Sequence, residues 1–442
     1  MYSTLLRLAG PWIFLRWWVR GRREPQYRFK LLARLGYRLP VPSTASAGPL
    51  VWIHAVSLGE TRAAAALWTA LRERLPQARL LVTHGTATGW QAAAQWPLRA
   101  GDVQTWLPYD TPGAVRRFLR HYQPDVGVLM ETEVWPNVLQ ACSDAGIPVV
   151  LANARLSERS RRKAQRWPSL LEPAVQQLTA VLAQSEDDAL RLRSLGARTV
   201  QVCGNLKFDM RPSASQQQQG LAWRQAIHRP VVVAASTREG EEAALLHLWA
   251  QAVIDRGQTH SPAPLLIIVP RHPQRFEEVA GLVSASGFSW CRRKEFESAL
   301  PSLSEETSNS CVWLGDSLGE MTLYYSMAHV ALLGGSFEPL GGQNLIEAAS
   351  CGCPVIMGPH TFNFAQASQQ ALEAGAALRV DNLSEGVGQA LRWAEQAWLL
   401  QGQSAVFLPS EQALEFATRH QGSALKQASA IESIVLNAAA GR

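Results

Sequence analysis

The chain has 442 residues, 47% of them hydrophobic and 18% charged, a composition typical of a globular enzyme with two or three domains. No run of about 18 apolar residues occurs, which argues against a conventional membrane span. Residues 1–39 hold nine basic side chains and one acid, so the net charge of +6 comes from this segment and the remainder carries about −2. Nucleic-acid binding requires a basic face on the folded body, and this charge distribution does not indicate one. The six cysteines form no CxxC pair, which disfavours a zinc site and is consistent with a reducing compartment.

The first thirty residues combine tryptophan and arginine in a short apolar segment, in which Gly10-Pro11 interrupts the helical pattern. The uncharged stretch between Arg7 and Arg16 is too short to cross a bilayer. Tryptophan beside arginine is typical of the membrane interface, with anionic lipid as the electrostatic partner. We therefore predict that residues 1–30 associate with a membrane surface. The alternative is a helix that packs on the protein's own body.

Two series of candidate strands alternate with helices along the rest of the chain. Most are continuous apolar runs, as expected for parallel strands buried on both faces. The first series contains residues 50–54, 79–83, 103–107, 126–131, 148–152, 179–184 and 200–204. The second contains residues 230–235, 265–269, 311–314, 330–334 and 354–357. This pattern predicts two doubly wound α/β domains with a cleft between them.

The boundaries of these domains follow from composition. Residues 208–222 contain Pro, Ser and four consecutive glutamines, which indicates a linker or an exposed loop. We expect a first domain over residues 31–210, a linker over 211–225 and a second domain over 226–442. The Ala- and Leu-rich tail from residue 411 is predicted to be a helix that closes the fold.

Glu60 follows the first candidate strand and a small-residue loop, in the first turn of a helix predicted over residues 63–75. This places its carboxylate at the carboxyl end of the sheet, where open α/β folds bind ligands. The helix dipole stabilises the ionised form, which suits a group that accepts a proton. The alternative is a helix-terminal charge with no other role.

Other polar residues also follow strands. Glu131 and Lys207 end two strands of the first series and could line one crevice, or form a structural ion pair. Arg271 and His272 end a strand of the second series, where guanidinium and imidazole donors can hold phosphate oxygens.

The segment 334–349, GGSFEPLGGQNLIEAA, has two glycine pairs in a loop that leads into a helix predicted to start near Asn344. Such a loop can present backbone N–H groups and a helix N-terminus to an anion. Glu347 could accept hydrogen bonds from a ribose. The loop matches neither the P-loop nor the dinucleotide fingerprint, and a plain glycine turn is the alternative.

Two serines suggest a hydrolase. Ser317 lies in a GDSL sequence, but no downstream Asp-x-x-His follows it. Ser57 lies in AVSLG, where a nucleophile elbow requires glycine in place of Ala55. Both patterns are incomplete, so serine hydrolysis is a minor alternative.

Ten sequence blocks together resemble the 3-deoxy-D-manno-octulosonic acid (Kdo) transferases. They lie in the family's order over about residues 54–365, which is most of the chain, and the tail beyond is less diagnostic. Gln343 is a small departure, since relatives can carry His there. The blocks are HAVSLGET, LPYDTP, METEVWPN, NARLSERS, GNLKFD, STREGEE, VPRHPQRF, GDSLGEM, GGSFEPLGGQNLIEAA and MGPHTFNF.

The resemblance implies a GT-B fold, in which two Rossmann-like domains face each other across a cleft. It implies inverting transfer of Kdo from CMP-Kdo to the lipid A precursor lipid IVA, at the cytoplasmic face of the inner membrane, without a metal or other cofactor. By position, Glu60 would be the general base, and Glu131 and Lys207 would stabilise the transition state. The residues implied to bind CMP are Arg271, His272, Gly319, Glu320, Met321, Asn344, Leu345, Ile346, Glu347 and Ala348.

Within this reading, the N-terminal domain takes the acceptor and the C-terminal domain takes the nucleotide sugar. The anionic inner-membrane surface would be a further partner, held by the N-terminal segment. The closest alternative is another GT-B lipid glycosyltransferase that uses a different nucleotide sugar. A membrane-associated nucleotide-sugar binder without catalytic activity is an alternative from another class.

Overall fold

The structure is a computed structural model that describes residues 2–22, 24–41, 48–255, 262–295, 311–401, 403 and 405–440. The chain divides into two compact units. Unit 1 contains Met1–Met210 together with His420–Arg442, and unit 2 contains Arg211–Arg419.

Each unit is built on a seven-stranded sheet in which every paired neighbour is parallel. The strand orders are β3-β2-β1-β4-β5-β6-β7 in unit 1 and β10-β11-β9-β8-β12-β13-β14 in unit 2. The strands of unit 1 are β1 (Leu50–His54), β2 (Arg79–His84), β3 (Val103–Trp106), β4 (Val126–Met130), β5 (Val149–Ala154), β6 (Ala180–Ala183) and β7 (Val200–Val202). Those of unit 2 are β8 (Val231–Thr237), β9 (Leu265–Pro270), β10 (Trp290–Arg292), β11 (Val312–Leu314), β12 (Val330–Leu333), β13 (Val355–Met357) and β14 (Ala377–Arg379).

Helices connect the strands, as parallel pairing requires. They are α1 (Tyr2–Arg20), α2 (Leu58–Arg74), α3 (Ala87–Ala93), α4 (Pro112–Tyr122), α5 (Pro136–Asp144), α6 (Glu158–Ala164), α7 (Pro168–Gln176), α8 (Glu186–Arg193), α9 (Ala214–Ile227), α10 (Glu241–Asp255), α11 (Phe276–Ala285), α12 (Met321–Met327), α13 (Ile346–Ser350), α14 (Ala365–Glu373), α15 (Leu383–Leu399), α16 (Leu408–Arg419) and α17 (Ser423–Ala440).

The prediction of two doubly wound α/β domains is confirmed by these sheets. The twelve predicted strands are present, with ends that differ by one or two residues. The short strands β10 and β14 were not predicted, because three residues with an arginine at the end carry no continuous apolar run.

The sheets are buried on both faces, which explains the apolar runs. All five residues of β1 are buried. Leu50 and Trp52 pack into the core on one face of the sheet, whereas Val51 and Ile53 pack into the core on the other. The strand order reverses between β1 and β4, so the loops after these two strands lie at the switch point where open sheets bind ligands.

The expected linker over residues 211–225 is wrong for most of its length, because the glutamine run belongs to α9. Its Gly220, Trp223 and Ile227 are buried at helical spacing. A Cβ on Gly220 would lie 2.5 Å from the carbonyl oxygen of Leu323, so glycine permits the close approach of α9 to α12. Glutamine has good helix propensity, and tertiary packing supplies the rest.

The expected second domain over residues 226–442 also differs from the structure. The tail forms two helices, and the second, α17, belongs to unit 1. Its Ala428, Ile431 and Val435 are buried in the core beside β1. The chain therefore returns to unit 1, which local sequence patterns do not reveal.

The N-terminal helix α1 is continuous through Pro11, contrary to the interruption that we expected at Gly10-Pro11. Contacts with unit 1 hold it on both sides of the proline. Tyr2 donates a hydrogen bond to Asp110 at 2.8 Å. Trp17 packs edge-on against Tyr109 with ring centroids 6.1 Å apart.

A buried arginine completes the attachment of α1. The guanidinium of Arg34 lies 4.2 Å from the ring centroid of Trp17 and 4.0 Å from that of Trp106. Burial lowers the pKa of Arg34 to about 9, and the two aromatic faces offset part of the desolvation cost. The alternative of packing on the protein's own body therefore holds for one face of α1. No helix in the described part of the chain is long and apolar enough to span a bilayer.

Candidate active site

Glu60 lies in the first turn of α2, as predicted, and belongs to a capping arrangement. Ser57 is the N-cap, and its Oγ accepts a hydrogen bond from the Glu60 N–H at 3.3 Å and donates one to Oε1 at 2.7 Å. The N–H of Val56 donates to Oε2 at 2.8 Å. This reciprocal geometry orients the carboxylate and also stabilises the helix start. The structural role that we weighed as the alternative is therefore present, and it is compatible with a catalytic role.

The pKa of Glu60 is raised, opposite to the direction expected from the helix dipole. Burial is the largest cause, and the negative charge of Glu131 adds to it. The hydrogen bonds from Ser57 and Val56 and the charge of Arg155 act in the other direction. A carboxylate with a raised pKa is a stronger base, which suits proton abstraction near neutral pH.

Glu131 and Lys207 follow β4 and β7, which β5 and β6 separate in the sheet, and they form the ion pair that the sequence left open as an alternative. Nζ of Lys207 lies 3.5 Å from Oε1 of Glu131, and Nε of Arg155 lies 2.9 Å from Oε2. The carboxylate of Glu131 is 9% exposed, so two cations compensate for its burial. Its backbone is left-handed, with φ of 54°, a conformation that costs a non-glycine residue of the order of 1 kcal/mol.

Two further charged residues of this cluster were missed by sequence reasoning. Arg155 follows β5 directly, and that position was the signal available for it. Glu133 is the second glutamate of METEVWPN, and burial together with the charges of Glu60 and Glu131 raises its pKa to about 7. The indole N–H of Trp135 donates to its Oε2 at 2.8 Å. Unit 1 thus gathers three carboxylates and two cations at the carboxyl edge of its sheet.

A buried amide network holds the loop that carries Lys207. Oδ1 of Asn153 accepts the Leu206 N–H at 3.0 Å. Gln427 of α17 accepts the Asn153 N–H at 2.8 Å and donates to the carbonyl oxygen of Gly204 at 3.2 Å. Asn153 and Gln427 are fully buried, so their hydrogen bonds are shielded from water. The returning C-terminal helix therefore supports the cation beside Glu131.

Unit 2 carries the predicted Arg271 and His272 in a basic cluster after β9. Arg238 and Arg271 both lower the pKa of His272, in addition to the effect of its partial burial. Arg275, four residues after Arg271, is instead held by Glu242 at 2.6 Å in a buried ion pair. The positive charges of Arg238 and Arg271 therefore both act on this imidazole, and Arg238 also pairs with Glu239 at 3.1 Å.

The glycine loop of unit 2 is partly filled by a protein carboxylate. Both oxygens of Glu241 accept the Gly335 N–H at 2.8 Å, and Oε2 also accepts the Arg238 N–H at 2.9 Å. This loop follows β12, at the switch point of the second sheet. The expectation that its first glycine pair presents N–H groups to a ligand is therefore wrong for Gly335. Glu241 lies in the STREGEE block and was not singled out from the sequence.

The helix expected near Asn344 begins at Ile346 and has only five residues, so its dipole is small. Oδ1 of Asn344 accepts the Ile346 N–H at 3.2 Å. Oε1 of Glu347 lies 3.5 Å from the hydroxyl of Thr322. Three other residues implied to bind CMP have buried side chains, so only their backbone could contact a nucleotide: Leu345, Ile346 and Ala348.

The predicted segment 319–321 lies at the start of α12. Glu320 is its N-cap, and its Oε1 pairs with Arg293 at 2.7 Å. The carbonyl oxygen of Gly319 accepts a hydrogen bond from Gln216 at 2.9 Å, and Met321 is the first helical residue. The carboxylate of Glu320 is therefore engaged within the protein.

Neither serine has the surroundings of a nucleophile. Ser57 donates to Glu60, and Oγ of Ser317 is hydrogen-bonded to the hydroxyl of Tyr324 at 2.6 Å. Within the described residues, neither serine is hydrogen-bonded to a histidine. Those residues also contain no group of three or more His, Cys, Asp or Glu arranged to hold a metal ion.

Comparison with known proteins identifies the family of this chain. The family model described as "3-Deoxy-D-manno-octulosonic-acid transferase (kdotransferase)" matches residues 30–210. A 3-deoxy-D-manno-octulosonic acid transferase of Bordetella pertussis is 43% identical over 442 residues, which is 98% of each chain. The chain belongs to the Kdo transferase family. The resemblance inferred from the ten sequence blocks is thereby confirmed.

Other relatives agree on family and fold. A 3-deoxy-D-manno-octulosonic acid transferase of Haemophilus influenzae is 32% identical over 88% of this chain and 89% of its own. The crystal structure of a glycosyltransferase from Rickettsia africae ESF-5 matches 88% of this chain and 99% of its own with a TM-score of 0.56 and 12% identity, which supports the GT-B type of fold. Glu60, Glu131 and Lys207 of this transferase all lie within residues 30–210, the part that the family model matches.

Proposed function

We propose that this transferase moves Kdo from CMP-Kdo to lipid IVA with inversion at the anomeric carbon, in lipopolysaccharide synthesis. The observation that carries the proposal is the cluster in unit 1, where the Glu60 carboxylate lies within electrostatic reach of the Glu131–Lys207 pair. Family membership identifies Kdo as the transferred sugar, and the cluster contains a base and fixed charges that the reaction can use.

In this mechanism, Glu60 removes the proton from the acceptor hydroxyl while the hydroxyl oxygen forms a bond to the anomeric carbon of Kdo. The bond from that carbon to the CMP phosphate breaks, and the phosphate leaves with the electron pair. A positioned base contributes about 10²–10⁴-fold to the rate. The cations Lys207 and Arg155 are held in place before the reaction. They can therefore stabilise the negative charge that develops in the transition state without a change in their own positions.

The histidines near Glu60 are poor alternatives as the base. His54 and His84 are completely buried at the ends of β1 and β2. Burial lowers their pKa values to about 3 and about 4, so both are neutral and inaccessible at neutral pH. Their Nδ1 atoms are hydrogen-bonded to Thr83 and to the carbonyl oxygen of Ala55, respectively. Glu60 is partly exposed and its pKa is raised, so it is better suited than either histidine to accept a proton.

The test of the base is Glu60→Gln, which keeps the size of the side chain. We expect loss of transfer from CMP-Kdo to lipid IVA while CMP-Kdo still binds, as measured by product mass spectrometry and calorimetry. Glu73→Gln on the exposed face of the same helix is the matched control and should keep full activity. Full turnover by Glu60→Gln would remove Glu60 from the mechanism. If the wild type formed product from UDP-sugars and not from CMP-Kdo, the donor would be a different nucleotide sugar. If the wild type bound CMP-Kdo but formed no product, the non-catalytic alternative would be favoured.

For the nucleotide, we assign Arg271 and His272 to the CMP phosphate, because Arg238 and Arg271 create a positive field at the end of β9. Arg271→Ala should raise the dissociation constant for CMP about tenfold or more, since charged hydrogen bonds to phosphate are strong. Arg392→Ala, an exposed arginine of α15, is the control. Equal affinity of both variants for CMP would place the nucleotide elsewhere.

We also propose that α1 holds the transferase on the cytoplasmic face of the inner membrane. The face of α1 that does not contact unit 1 exposes an apolar stripe at helical spacing: Leu5, Leu8, Trp12, Leu15 and Val19. Between 48% and 75% of each of these residues is exposed, which is unusual for a water-facing surface. Four basic residues accompany the stripe and match an anionic lipid surface: Arg7, Arg16, Arg20 and Arg22.

The membrane proposal is tested by replacing Leu8, Trp12 and Leu15 with serine. This variant should lose binding to vesicles of phosphatidylethanolamine and phosphatidylglycerol while CMP binding is unchanged. The control replaces three exposed apolar residues elsewhere in unit 1, Val41, Leu98 and Leu190, with serine. Equal vesicle binding by the two variants would refute anchoring by α1.

A further inference from the structure

A strongly basic surface on α6 and the turn after it has no role in the reaction as described so far. We define the basic ridge as Arg159, Arg162, Lys163 and Arg166, all of which are exposed. These four residues and Glu158 line an open depression of about 440 Å³. Outside residues 1–39 the chain carries about −2 in total, so this concentration of positive charge is local.

The protein neutralises only part of the ridge. Glu158 pairs with Arg162 at 3.0 Å and with the neighbouring Arg161 at 2.7 Å. Arg159, Lys163 and Arg166 have no acidic partner within 4.0 Å in the part of the chain that the structure describes. Like charges three and four residues apart on a helix repel each other, so this arrangement costs stability unless an external anion binds.

The ridge begins four residues after a member of the charged cluster. Arg155, whose guanidinium contacts Glu131, precedes Arg159 by four residues. Four residues of extended chain span at most about 14 Å, so the ridge starts within that distance of Arg155. A polyanionic molecule that reaches Glu60 and Glu131 can therefore extend along α6.

We infer that the basic ridge binds the phosphate groups of the acceptor lipid while its sugar hydroxyl is presented to Glu60. The inference rests on the proposed function, and it deepens it by placing a phosphomonoester of the acceptor on named residues. Arginine and lysine are the usual partners of phosphate oxygens, and a depression lined by four of them can hold one phosphate with several donors.

The ridge suits a substrate phosphate better than the bulk membrane surface. Trp167 is the single large apolar side chain exposed on α6 and the turn after it, among residues 158–167. Membrane-surface helices combine basic residues with a continuous apolar face, as α1 does. The ridge has positive charge but lacks that apolar area. Its composition therefore fits contact with the phosphate of a lipid headgroup rather than insertion into the membrane interface.

The test uses the full chain with CMP-Kdo and compares two acceptors in neutral detergent micelles, lipid IVA and lipid IVA from which both phosphates have been removed. The ridge variant is Arg159→Ala, Lys163→Ala and Arg166→Ala. The matched control is Arg116→Ala, Arg120→Ala and Arg198→Ala, which removes the same charge from exposed positions of the same unit. Vesicle binding by both variants is measured in parallel.

The ridge variant should raise the KM for lipid IVA about tenfold with a similar kcat, since each exposed ion pair contributes modestly. Wild type and ridge variant should use the dephosphorylated acceptor equally. The conservative variant Arg159→Lys with Arg166→Lys, which keeps the charge, should have the KM of the wild type. The inference would be overturned if the ridge and control variants had equal KM values for lipid IVA. It would also be overturned if the KM of the ridge variant were raised only with the acceptor in anionic vesicles. If the wild type transferred nothing to lipid IVA but used another acceptor, the proposed function itself would fail, and the ridge inference with it.

Discussion

Nε of Arg155 lies 2.9 Å from Oε2 of Glu131, and the backbone N–H of Arg155 donates to the carbonyl oxygen of Glu131 at 3.2 Å. Two neighbouring strand ends are thus joined by main chain and side chain together. The second oxygen of Glu131 faces Lys207. Glu131 is held between two cations in a left-handed backbone conformation, and the charges of Glu131 and Arg155 both act on Glu60.

Replacement of Arg155 by alanine should lower kcat about ten- to a hundredfold, because a fixed positive charge beside the reacting centre is lost. The pKa of Glu60 should also rise, since the charge of Arg155 lowers it in the wild type. The guanidinium is 46% exposed, so the change in unfolding free energy should be under about 1 kcal/mol. Arg155→Lys should retain part of the activity. An unchanged kcat for Arg155→Ala, with normal folding by circular dichroism, would contradict the assignment.

Ser57→Ala should change the pH dependence of transfer. The Ser57 hydroxyl lowers the pKa of Glu60, so its removal should raise that pKa further and move the acidic limb of kcat/KM to higher pH. Loss of the N-cap should cost about 1 kcal/mol of stability. Ser185→Ala is the matched control, because Ser185 caps α8 in the same reciprocal way with Asp188. It should lose similar stability without moving the pH profile, and an identical profile for both variants would exclude the Ser57–Glu60 coupling.

Glu60→Gln should lower the pKa of Glu133. In the wild type that pKa is about 7, and the negative charge of Glu60 is one cause of its elevation, after burial. Removing this charge removes a repulsion, so Glu133 should ionise at lower pH. The measurement is an NMR titration of the Glu133 carboxyl group, and Glu172→Gln, at an exposed position of α7, should leave that titration in place. An unchanged pKa of Glu133 in Glu60→Gln would show that the two carboxylates do not interact as described.

Gln427→Ala should weaken unit 1 and the loop that carries Lys207. The substitution leaves the Asn153 N–H without its acceptor and the Gly204 carbonyl without its donor, and each unsatisfied buried group costs about 1–3 kcal/mol. We expect a lower melting temperature and a reduced kcat at temperatures where the variant is folded. Lys426→Ala, at the adjacent exposed position of α17, is the control. A destabilised variant with normal kcat would limit Gln427 to a structural role.

Local sequence patterns were sufficient for the sheets and for part of the site. Strands buried on both faces have to be continuously apolar, so 50–54 and 126–131 could be placed to within a residue. A strand followed by a small-residue loop and a helical pattern placed Glu60 in the first turn of a helix, where it lies. Parallel strands end at one edge of a sheet, which is why Glu131 and Lys207 were expected to meet, and they do at 3.5 Å.

The sequence by itself thus determined the two-sheet architecture, the family and the positions of Glu60, Glu131 and Lys207 on strand and helix ends, because these depend on periodicity and motif over short spans. Only the tertiary structure decided the direction of the pKa shift at Glu60, the inclusion of Arg155 and Glu133, the return of α17 to unit 1 and the filling of the Gly335 loop by Glu241. Burial and through-space charge depend on contacts between residues far apart in the chain, and α17 reaches Asn153 across 274 positions. Those contacts, rather than the helix dipole that the local pattern suggested, set the protonation of the candidate base.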